Sequence, residues 1–230
     1  MTADGDAVGG GCDSLAPRPA PSARQPTAGP LTRDEARALV AACGKGFRGH
    51  RDRATVVLLW RCGLRASEVA QQRVADLRFE GGTGVLRVSA PKGFGRGALQ
   101  RELGLDRKVA DLLKRWLAVR TGAEALEQSS LVIPSRTGAG LYYQRTPGGR
   151  VEATGHFRRL LRTLAKRAGI TRRVHPHCLR ATFARNLYDE GVGVREIQLA
   201  LGHASLTTTA VYLVSIGATE VIATTKGREW

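Results

Sequence analysis

The sequence contains no apolar run of the roughly 18 to 20 residues that a membrane-spanning helix needs. Its first residues, MTADGDAVGGGCDSL, have neither the basic start nor the apolar stretch of a secretory signal. Cysteine is sparse and forms no CxxC pair; the four residues are Cys12, Cys43, Cys62 and Cys178. These absences exclude a disulfide-built scaffold and favour neither a membrane nor an extracellular role. The reducing cytoplasm is the expected compartment.

Acidic residues are in short supply relative to basic ones. The chain has 20 Asp and Glu against 36 Lys and Arg, which gives a formal net charge of +16 at pH 7. A surplus of this size favours a polyanionic partner, and nucleic acid is the most common one. The alternative is a generally basic protein from an arginine-rich proteome, and charge alone does not separate the two.

The two ends of the sequence differ in composition from its middle. Residues 1–30 are rich in Gly, Ala, Pro and Ser and carry hardly any large apolar side chains. Because such a stretch cannot bury enough surface to offset its ordering entropy, we predict a disordered tail. Residues 31–217 are expected to form one mainly helical domain with a small antiparallel sheet. Residues 218–230 are expected to form a short C-terminal tail.

Apolar spacing predicts the helices and strands of this domain. The first helix begins at Thr32, which has the spacing of a capping box with Glu35. Further helices are expected over 51–61, 67–73, 108–119, 156–168, 176–189, 194–201 and 206–214. Short strands are expected over 85–89, 99–105 and 131–133. The first two of these strands form a hairpin whose long turn contains Pro91 and three glycines.

The helix predicted over 156–168 is strongly amphipathic. Its apolar side chains recur at helical spacing, and its basic side chains fall largely on the other side. The basic residues include Arg158, Arg159 and Arg162. Their face is either an ordinary solvated surface or a surface that contacts DNA, and the pattern leaves both readings open.

Three stretches combine reactive side chains with sharp local breaks. In the first, GLRASEV over 63–69, Arg65 lies between the end of one helix and the start of the next. There a guanidinium and backbone N–H groups can bind one anion together. A solvated surface arginine is the simpler alternative for this motif taken alone.

The second stretch, HPHCLRATFA over 175–184, places His177 three residues before Arg180. On a helix these two side chains share a face and can reach one ligand. A metal site built from His175, His177 and Cys178 with His203 is the alternative. It is disfavoured because adjacent helical residues diverge and no second Cys/His pair has zinc-like spacing.

The third stretch, LGHASLTTTAVY over 201–212, places Gly202 at the end of one helix and His203 in the connecting turn. Tyr212 falls on the next helix. A half-buried aromatic with a solvated hydroxyl is the simpler interpretation of a lone tyrosine.

Together these stretches resemble the catalytic domain of the tyrosine recombinase (phage integrase) family, which includes Xer-type and integrase recombinases. That domain has an Arg in a G-L-R-x-x-E motif, a Lys in a β-hairpin turn, an H-x-x-R box, an L-G-H turn, and a Tyr nine residues beyond that His. The corresponding positions, in the same order, are Arg65, Lys92, His177, Arg180, His203 and Tyr212. The match extends from about Leu31 to Tyr212. Arg96 is the alternative to Lys92, because the length of that turn varies.

The resemblance implies the mainly α fold with a small antiparallel sheet that this family shares, and it assigns a role to each residue. Arg65 and Arg180 would stabilise the negative charge on the non-bridging phosphate oxygens, with a hydrogen bond from His203. Tyr212 would attack the phosphorus and remain as a 3′-phosphotyrosyl link, with His177 as the base.

Lys92 would protonate the departing 5′-oxygen. The covalent link conserves the energy of the phosphodiester, so the implied chemistry needs neither ATP nor a metal ion, and no cofactor is expected. The implied partner is double-stranded DNA, bound by a tetramer on two recombination sites, and nucleoid association in the cytoplasm follows from it.

Members of this family usually carry a helical DNA-binding domain ahead of the catalytic one. Only about 30 low-complexity residues precede the predicted fold here, so we expect that a separate DNA-binding partner protein could be required. Two alternatives stay open: a type IB topoisomerase-like relaxation activity, and an accessory DNA-binding module that has lost catalysis. The events that the resemblance implies are integration, excision or resolution of DNA.

Overall fold

The computed structural model describes residues 29–89, 100–122, 126–134, 143–145, 151–153 and 155–202. The α-helices in these ranges are α1 (Arg33–Ala41), α2 (Gly46–Trp60), α3 (Ala66–Val69), α4 (Arg107–Thr121), α5 (His156–Arg167), α6 (Pro176–Asp189) and α7 (Val194–Leu201). The strands are β1 (Leu77–Glu80), β2 (Thr83–Val88), β3 (Arg101–Leu105), β4 (Tyr143–Arg145) and β5 (Val151–Ala153). The predicted fold class, mainly helical with a small antiparallel sheet, is confirmed.

Helix α2 is the centre of the hydrophobic core. Its residues 54–60 are all buried, and it packs against α1, α4 and α6. Helix α1 begins with the predicted capping box, in which the Glu35 N–H donates to the Thr32 hydroxyl at 3.1 Å and the Thr32 N–H donates to the Glu35 carboxylate at 2.8 Å. None of the described helices is both long and apolar enough to cross a bilayer.

Helix α2 begins five residues earlier than the apolar pattern predicted, at Gly46 rather than at residue 51. Two glycines in its first turn hid the start, because glycine is a poor helix former. Gly49 is required there by packing: a Cβ at this position would lie 1.7 Å from the carbonyl oxygen of Gly44. The prediction followed the apolar run over residues 56–60, whereas the close approach of the preceding loop requires the glycine at position 49.

The main sheet has the order β1-β2-β3 and is antiparallel throughout, so the predicted hairpin of β2 and β3 is confirmed. Leu86 on the central strand pairs with Leu77 on β1 and with Leu103 on β3, and all three are buried. Strand β1 was not predicted, because four residues are too few to show a period. The small β4-β5 pair was not predicted either.

Two predicted elements around residues 67–73 and 131–133 were wrong in extent. Helix α3 stops at Val69, and residues 131–133 form only an isolated bridge, between Leu131 and Arg73. The carbonyls that would extend a strand accept side-chain hydrogen bonds instead. The Trp116 indole N–H donates to the Val132 carbonyl at 2.7 Å, and the Arg120 guanidinium donates to the Leu131 carbonyl.

The last two described helices have the predicted bounds, 176–189 and 194–201. Helix α7 ends at Gly202, whose φ of +62° is the left-handed conformation that favours glycine at a helix C-terminus. The helix predicted over 206–214 lies outside the described residues. The division into tails over 1–30 and 218–230 and a domain over 31–217 stays a prediction.

Candidate functional site

Three of the six residues singled out by the sequence motifs belong to the described part of the chain: Arg65, His177 and Arg180. The other three, together with the alternative Arg96, lie outside it: Lys92, His203 and Tyr212. All three predicted DNA-binding arginines of α5 are described.

Arg65 is the residue that immediately precedes helix α3, at a tight junction with α6. The chain reaches it through Gly63, which has a φ of +59°; a Cβ there would lie 2.2 Å from the ring of Phe183 on α6. The Nη1 of Arg65 donates to the carboxylate of Glu68 at 3.0 Å, and its Nη2 lies 3.5 Å from the carbonyl oxygen of Gly202. The side chain is 36% exposed, so a ligand in solvent can reach it.

Arg180 shares the carboxylate of Glu68 with Arg65 and is held from several sides. Its guanidinium donates to the carbonyl oxygens of Gly63 and Leu201, and its Nη1 is 3.7 Å from the carboxylate of Glu68. The side chain is 3% exposed. Arg180 therefore supplies a fixed, buried positive charge to the cluster that also contains the accessible guanidinium of Arg65.

Two residues without a predicted role complete this cluster: Glu68, the acidic residue of the G-L-R-x-x-E motif, and Arg101, which no motif contains. Arg101, at the start of β3, makes a two-pronged ion pair with Glu68: Nη1 donates at 3.1 Å and Nη2 at 2.9 Å. Both side chains are buried, with exposures of 7% and 6%. A signal was present in the sequence. Arg101 alternates with Leu103 and Leu105, and an arginine on the apolar face of a strand indicates a buried ion pair.

Glu68 is the common partner of the three guanidinium groups. Burial by itself raises the pKa of this carboxyl, but the hydrogen bonds and charge of Arg101, with the charges of Arg180 and Arg65, outweigh it. The pKa of Glu68 is therefore below its usual value of 4.5, and the side chain is ionised at neutral pH. One negative charge faces three positive ones, so the cluster keeps a net positive charge that can bind an anion.

The C-terminus of α7 contacts the same three arginines. Arg101 donates through Nε to the carbonyl of Ala200 at 2.7 Å, Arg180 to that of Leu201, and Arg65 lies against that of Gly202. Three consecutive carbonyls thus each face a different guanidinium. These groups carry the partial negative charge of the helix C-terminus, which guanidinium groups stabilise.

His177 and His175 lie at the start of α6, next to Arg180. Their rings are nearly parallel, with centroids 6.1 Å apart. Desolvation, followed by the charge of Arg180, lowers the pKa of His177 below 6.5. Desolvation also lowers the pKa of His175, with smaller contributions from His177, Arg173 and Arg158. His177 is therefore neutral at pH 7 and can accept a proton.

The metal-site alternative gains no support from the described residues. Cys178 is buried and its thiol donates to the carbonyl of His175 at 2.9 Å, whereas His177 is exposed. Within the ranges that the structure describes, no three His, Cys, Asp or Glu side chains are grouped as a metal site would require. His203 lies outside those ranges.

A basic groove of about 710 Å³ adjoins the histidines, between α5 and the segment that leads into α6. Its cationic lining consists of Arg158, Arg159, Arg162, Lys166, Arg172 and Arg173. His175, whose ring stacks with that of His177, is also part of the lining. The three arginines predicted to bind DNA are thus brought together on one surface. The whole arrangement is suited to a phosphodiester, with a positive groove for the backbone and fixed guanidinium groups beside a neutral imidazole.

Comparison with known proteins gives consistent matches over this region. The sequence profile of the phage integrase family matches residues 30–216. The chain is 33% identical over 188 residues to the tyrosine recombinase XerC of Thermodesulfovibrio yellowstonii, covering 79% of this chain and 56% of that protein. It is 33% identical over 206 residues to the tyrosine recombinase XerD of Mycobacterium tuberculosis, covering 87% of this chain and 60% of that protein. The chain thus spans little more than half the length of these relatives.

Solved structures show the same fold. The XerA recombinase superposes with a TM-score of 0.68 at 25% identity, covering 93% of this chain and 68% of that one. The XerH site-specific recombinase in a post-cleavage complex with its palindromic difH substrate gives a TM-score of 0.63 at 21% identity, covering 86% of this chain and 53% of that one.

Proposed function

The chain belongs to the phage integrase family of tyrosine recombinases, and we propose that it is a site-specific recombinase that cleaves and rejoins DNA through a 3′-phosphotyrosyl intermediate. Because the chain spans little more than half of its relatives, the activity, the DNA substrate and the assembly are all part of this proposal. The observation that carries it is the cluster in which Glu68 and the end of α7 hold Arg65 and Arg180 beside His177.

In this proposal the scissile phosphate binds against the accessible guanidinium of Arg65, with the buried charge of Arg180 in the same cluster. Negative charge increases on the non-bridging oxygens as the phosphorus is attacked. Fixed positive groups stabilise that charge without reorganising at the moment of reaction. Removing a donor of this kind typically lowers the rate by about 10²–10³-fold.

Proton transfer is assigned to residues on both sides of the phosphate. A phenol with a free pKa of about 10 needs a base at neutral pH, and neutral His177 supplies one for Tyr212. Tyr212 then bonds to phosphorus while the bond to the 5′-oxygen breaks, and Lys92 gives that oxygen its proton. His203 adds a hydrogen bond to a non-bridging oxygen. These last three roles come from the family resemblance.

The groove lined by Arg158, Arg159 and Arg162 is proposed to bind the DNA backbone next to the scissile phosphate. Contacts of this kind position the duplex without reading its sequence. We further propose that the active species is a tetramer on two recombination sites, and that a separate DNA-binding protein could assist site recognition.

The test uses a pool of nicked suicide duplexes with randomised sequence around the nick, incubated with the purified chain. Protein that remains joined to DNA is then detected on a denaturing gel. Tyr188→Phe, on α6, is a matched control for Tyr212→Phe. We expect adduct with wild type and with Tyr188→Phe, and none with Tyr212→Phe.

Other outcomes select the alternatives. Equal adduct from Tyr212→Phe contradicts the assigned nucleophile. Salt-sensitive binding without any adduct supports an accessory DNA-binding module. Tyr212-dependent relaxation of supercoiled DNA without recombinant product supports a type IB topoisomerase-like activity.

A further inference from the structure

Arg101 has no role in the proposed chemistry, yet it binds the same carboxylate and the same helix end as the motif arginines. All of its recorded hydrogen bonds are internal: two to the carboxylate of Glu68 and one, through Nε, to the carbonyl of Ala200. The Nε, Nη1 and Nη2 of Arg101 thus all bind groups within the protein, and only 7% of the side chain is exposed. Burying an ion pair has a large desolvation cost, and such a pair is weak evidence for stability by itself.

The contacts of Arg101 join three distant parts of the chain at one point. Strand β3 carries the guanidinium, α3 carries Glu68, and α7 ends at the carbonyl that accepts from Nε. Gly202 makes this approach possible, because a Cβ there would lie 2.7 Å from the Nη1 of Arg101. Arg101 thus fixes Glu68 relative to the turn where Arg65 and Arg180 also bind.

Arg101 also affects how strongly Glu68 attracts the other two guanidinium groups, which are proposed to act on the phosphate. The carboxylate pairs with Arg65 at 3.0 Å and with Arg180 at 3.7 Å, while Arg101 occupies both of its oxygens. Without Arg101, the same negative charge would be shared by two guanidinium groups instead of three. Each of the two would then be neutralised more strongly by Glu68 and held less firmly in place. Both changes weaken its interaction with a bound phosphate.

We propose that Arg101 is a positioning residue: it holds the Glu68 carboxylate so that Arg65 and Arg180 keep their placement and charge for the scissile phosphate. This inference rests on the proposed function. It predicts that Arg101→Met lowers the single-turnover cleavage rate by about 10²-fold, the size of effect that a misplacement near 1 Å produces. The affinity for DNA should change little, because the hydrogen bonds of Arg101 to the described residues all lie within the protein.

The test compares an ordinary scissile phosphate with a methylphosphonate, in which a methyl group replaces one charged non-bridging oxygen. If Arg101 acts through the two phosphate-binding arginines, the defect of Arg101→Met is smaller on the methylphosphonate, because less negative charge needs stabilising. A merely structural role lowers both rates by the same factor. Arg101→Lys, which keeps a cation beside Glu68, should recover part of the rate.

Two further variants complete the design. Arg78→Met, on β1, removes an arginine whose ion pair with Glu102 is exposed, and it should cleave like wild type. Arg101→Met combined with Glu68→Gln removes the negative charge that Arg65 and Arg180 would otherwise share, keeps an oxygen that can accept their hydrogen bonds, and should be faster than Arg101→Met alone. Thermal unfolding of each variant identifies any loss of fold.

The outcomes separate the two proposals. If wild type forms no Tyr212-dependent adduct, the proposed function fails and the role of Arg101 falls with it. If wild type cleaves, two results overturn the role of Arg101 alone: a rate for Arg101→Met equal to that of wild type, or an equal fold-loss on both substrates without rescue by Glu68→Gln.

Discussion

The carboxylate of Glu68 accepts two hydrogen bonds from Arg65, one from the backbone N–H at 2.8 Å and one from Nη1 at 3.0 Å. The same side chain therefore closes the first turn of α3 and orients the guanidinium that precedes it. The Glu68 carboxylate thus both caps the helix and places the guanidinium that is proposed to bind the phosphate.

Replacing Glu68 with alanine should destabilise the domain by about 3–5 kcal/mol, because it leaves buried guanidinium groups without their counter-charge. Urea unfolding measures this loss. Glu80→Ala, at the exposed end of β1, is the matched control and should unfold close to wild type. Equal midpoints for the two variants would contradict the central place given to Glu68.

In a plot of cleavage rate against pH, the protonation of His177 should cause the decline on the acidic side, called the acidic limb. Desolvation and Arg180 lower the pKa of this imidazole below 6.5, so the neutral form persists to a lower pH than for a free histidine. As pH falls through that lowered pKa, the base becomes protonated and the rate declines. The measurement is the single-turnover rate against pH.

His177→Gln should remove this limb and lower the rate by about 10²–10⁴-fold, the usual contribution of a general base. His50→Gln on α2 is the control and should keep both the rate and the limb. A His177→Gln profile that still falls with an unchanged apparent pKa would assign the limb to another group.

The groove arginines should contribute mainly to salt-dependent DNA binding. Alanine at Arg158, Arg159 or Arg162 removes a cation from the groove beside His175. Each lost phosphate contact should make the slope of log affinity against log salt shallower by about 0.9. Fluorescence anisotropy with a random-sequence duplex at several salt concentrations measures the slope. Arg115→Ala, on the exposed side of α4, is the control and should leave the slope unchanged. If the groove variants have the same slope as this control, the groove does not bind the DNA backbone.

Gly63→Ala should destabilise the junction before Arg65 more than a comparable change elsewhere. Both Gly63 and Gly81 have a positive φ, but only at Gly63 would a Cβ meet a side chain, the ring of Phe183 at 2.2 Å. Gly81→Ala therefore controls for backbone strain. The difference in unfolding free energy should be about 1–3 kcal/mol, the usual cost of overpacking. A smaller loss for Gly63→Ala than for Gly81→Ala would show that Phe183 moves freely.

Local patterns in the sequence were sufficient for most of the fold. The bounds of α6 and α7 and the capping box of α1 depend on residues within one or two turns of each other, so apolar spacing and cap residues predict them. The β2-β3 hairpin joins neighbouring segments and could also be predicted. Strand β1 could not, because its four residues form a strand only by pairing with β2.

The sequence by itself determined the helical framework, the family motifs and their order, and these motifs predicted that Arg65, His177 and Arg180 belong to one site. Only the tertiary structure decided what holds them: Glu68 and Arg101 are 33 residues apart, and Arg101 and Ala200 are 99 apart. A sequence shows which side chains carry charge, but it does not show which charged side chains are buried next to each other. The pairing of Arg101 with Glu68 exists because the fold buries both groups at one point, where each needs the other's charge.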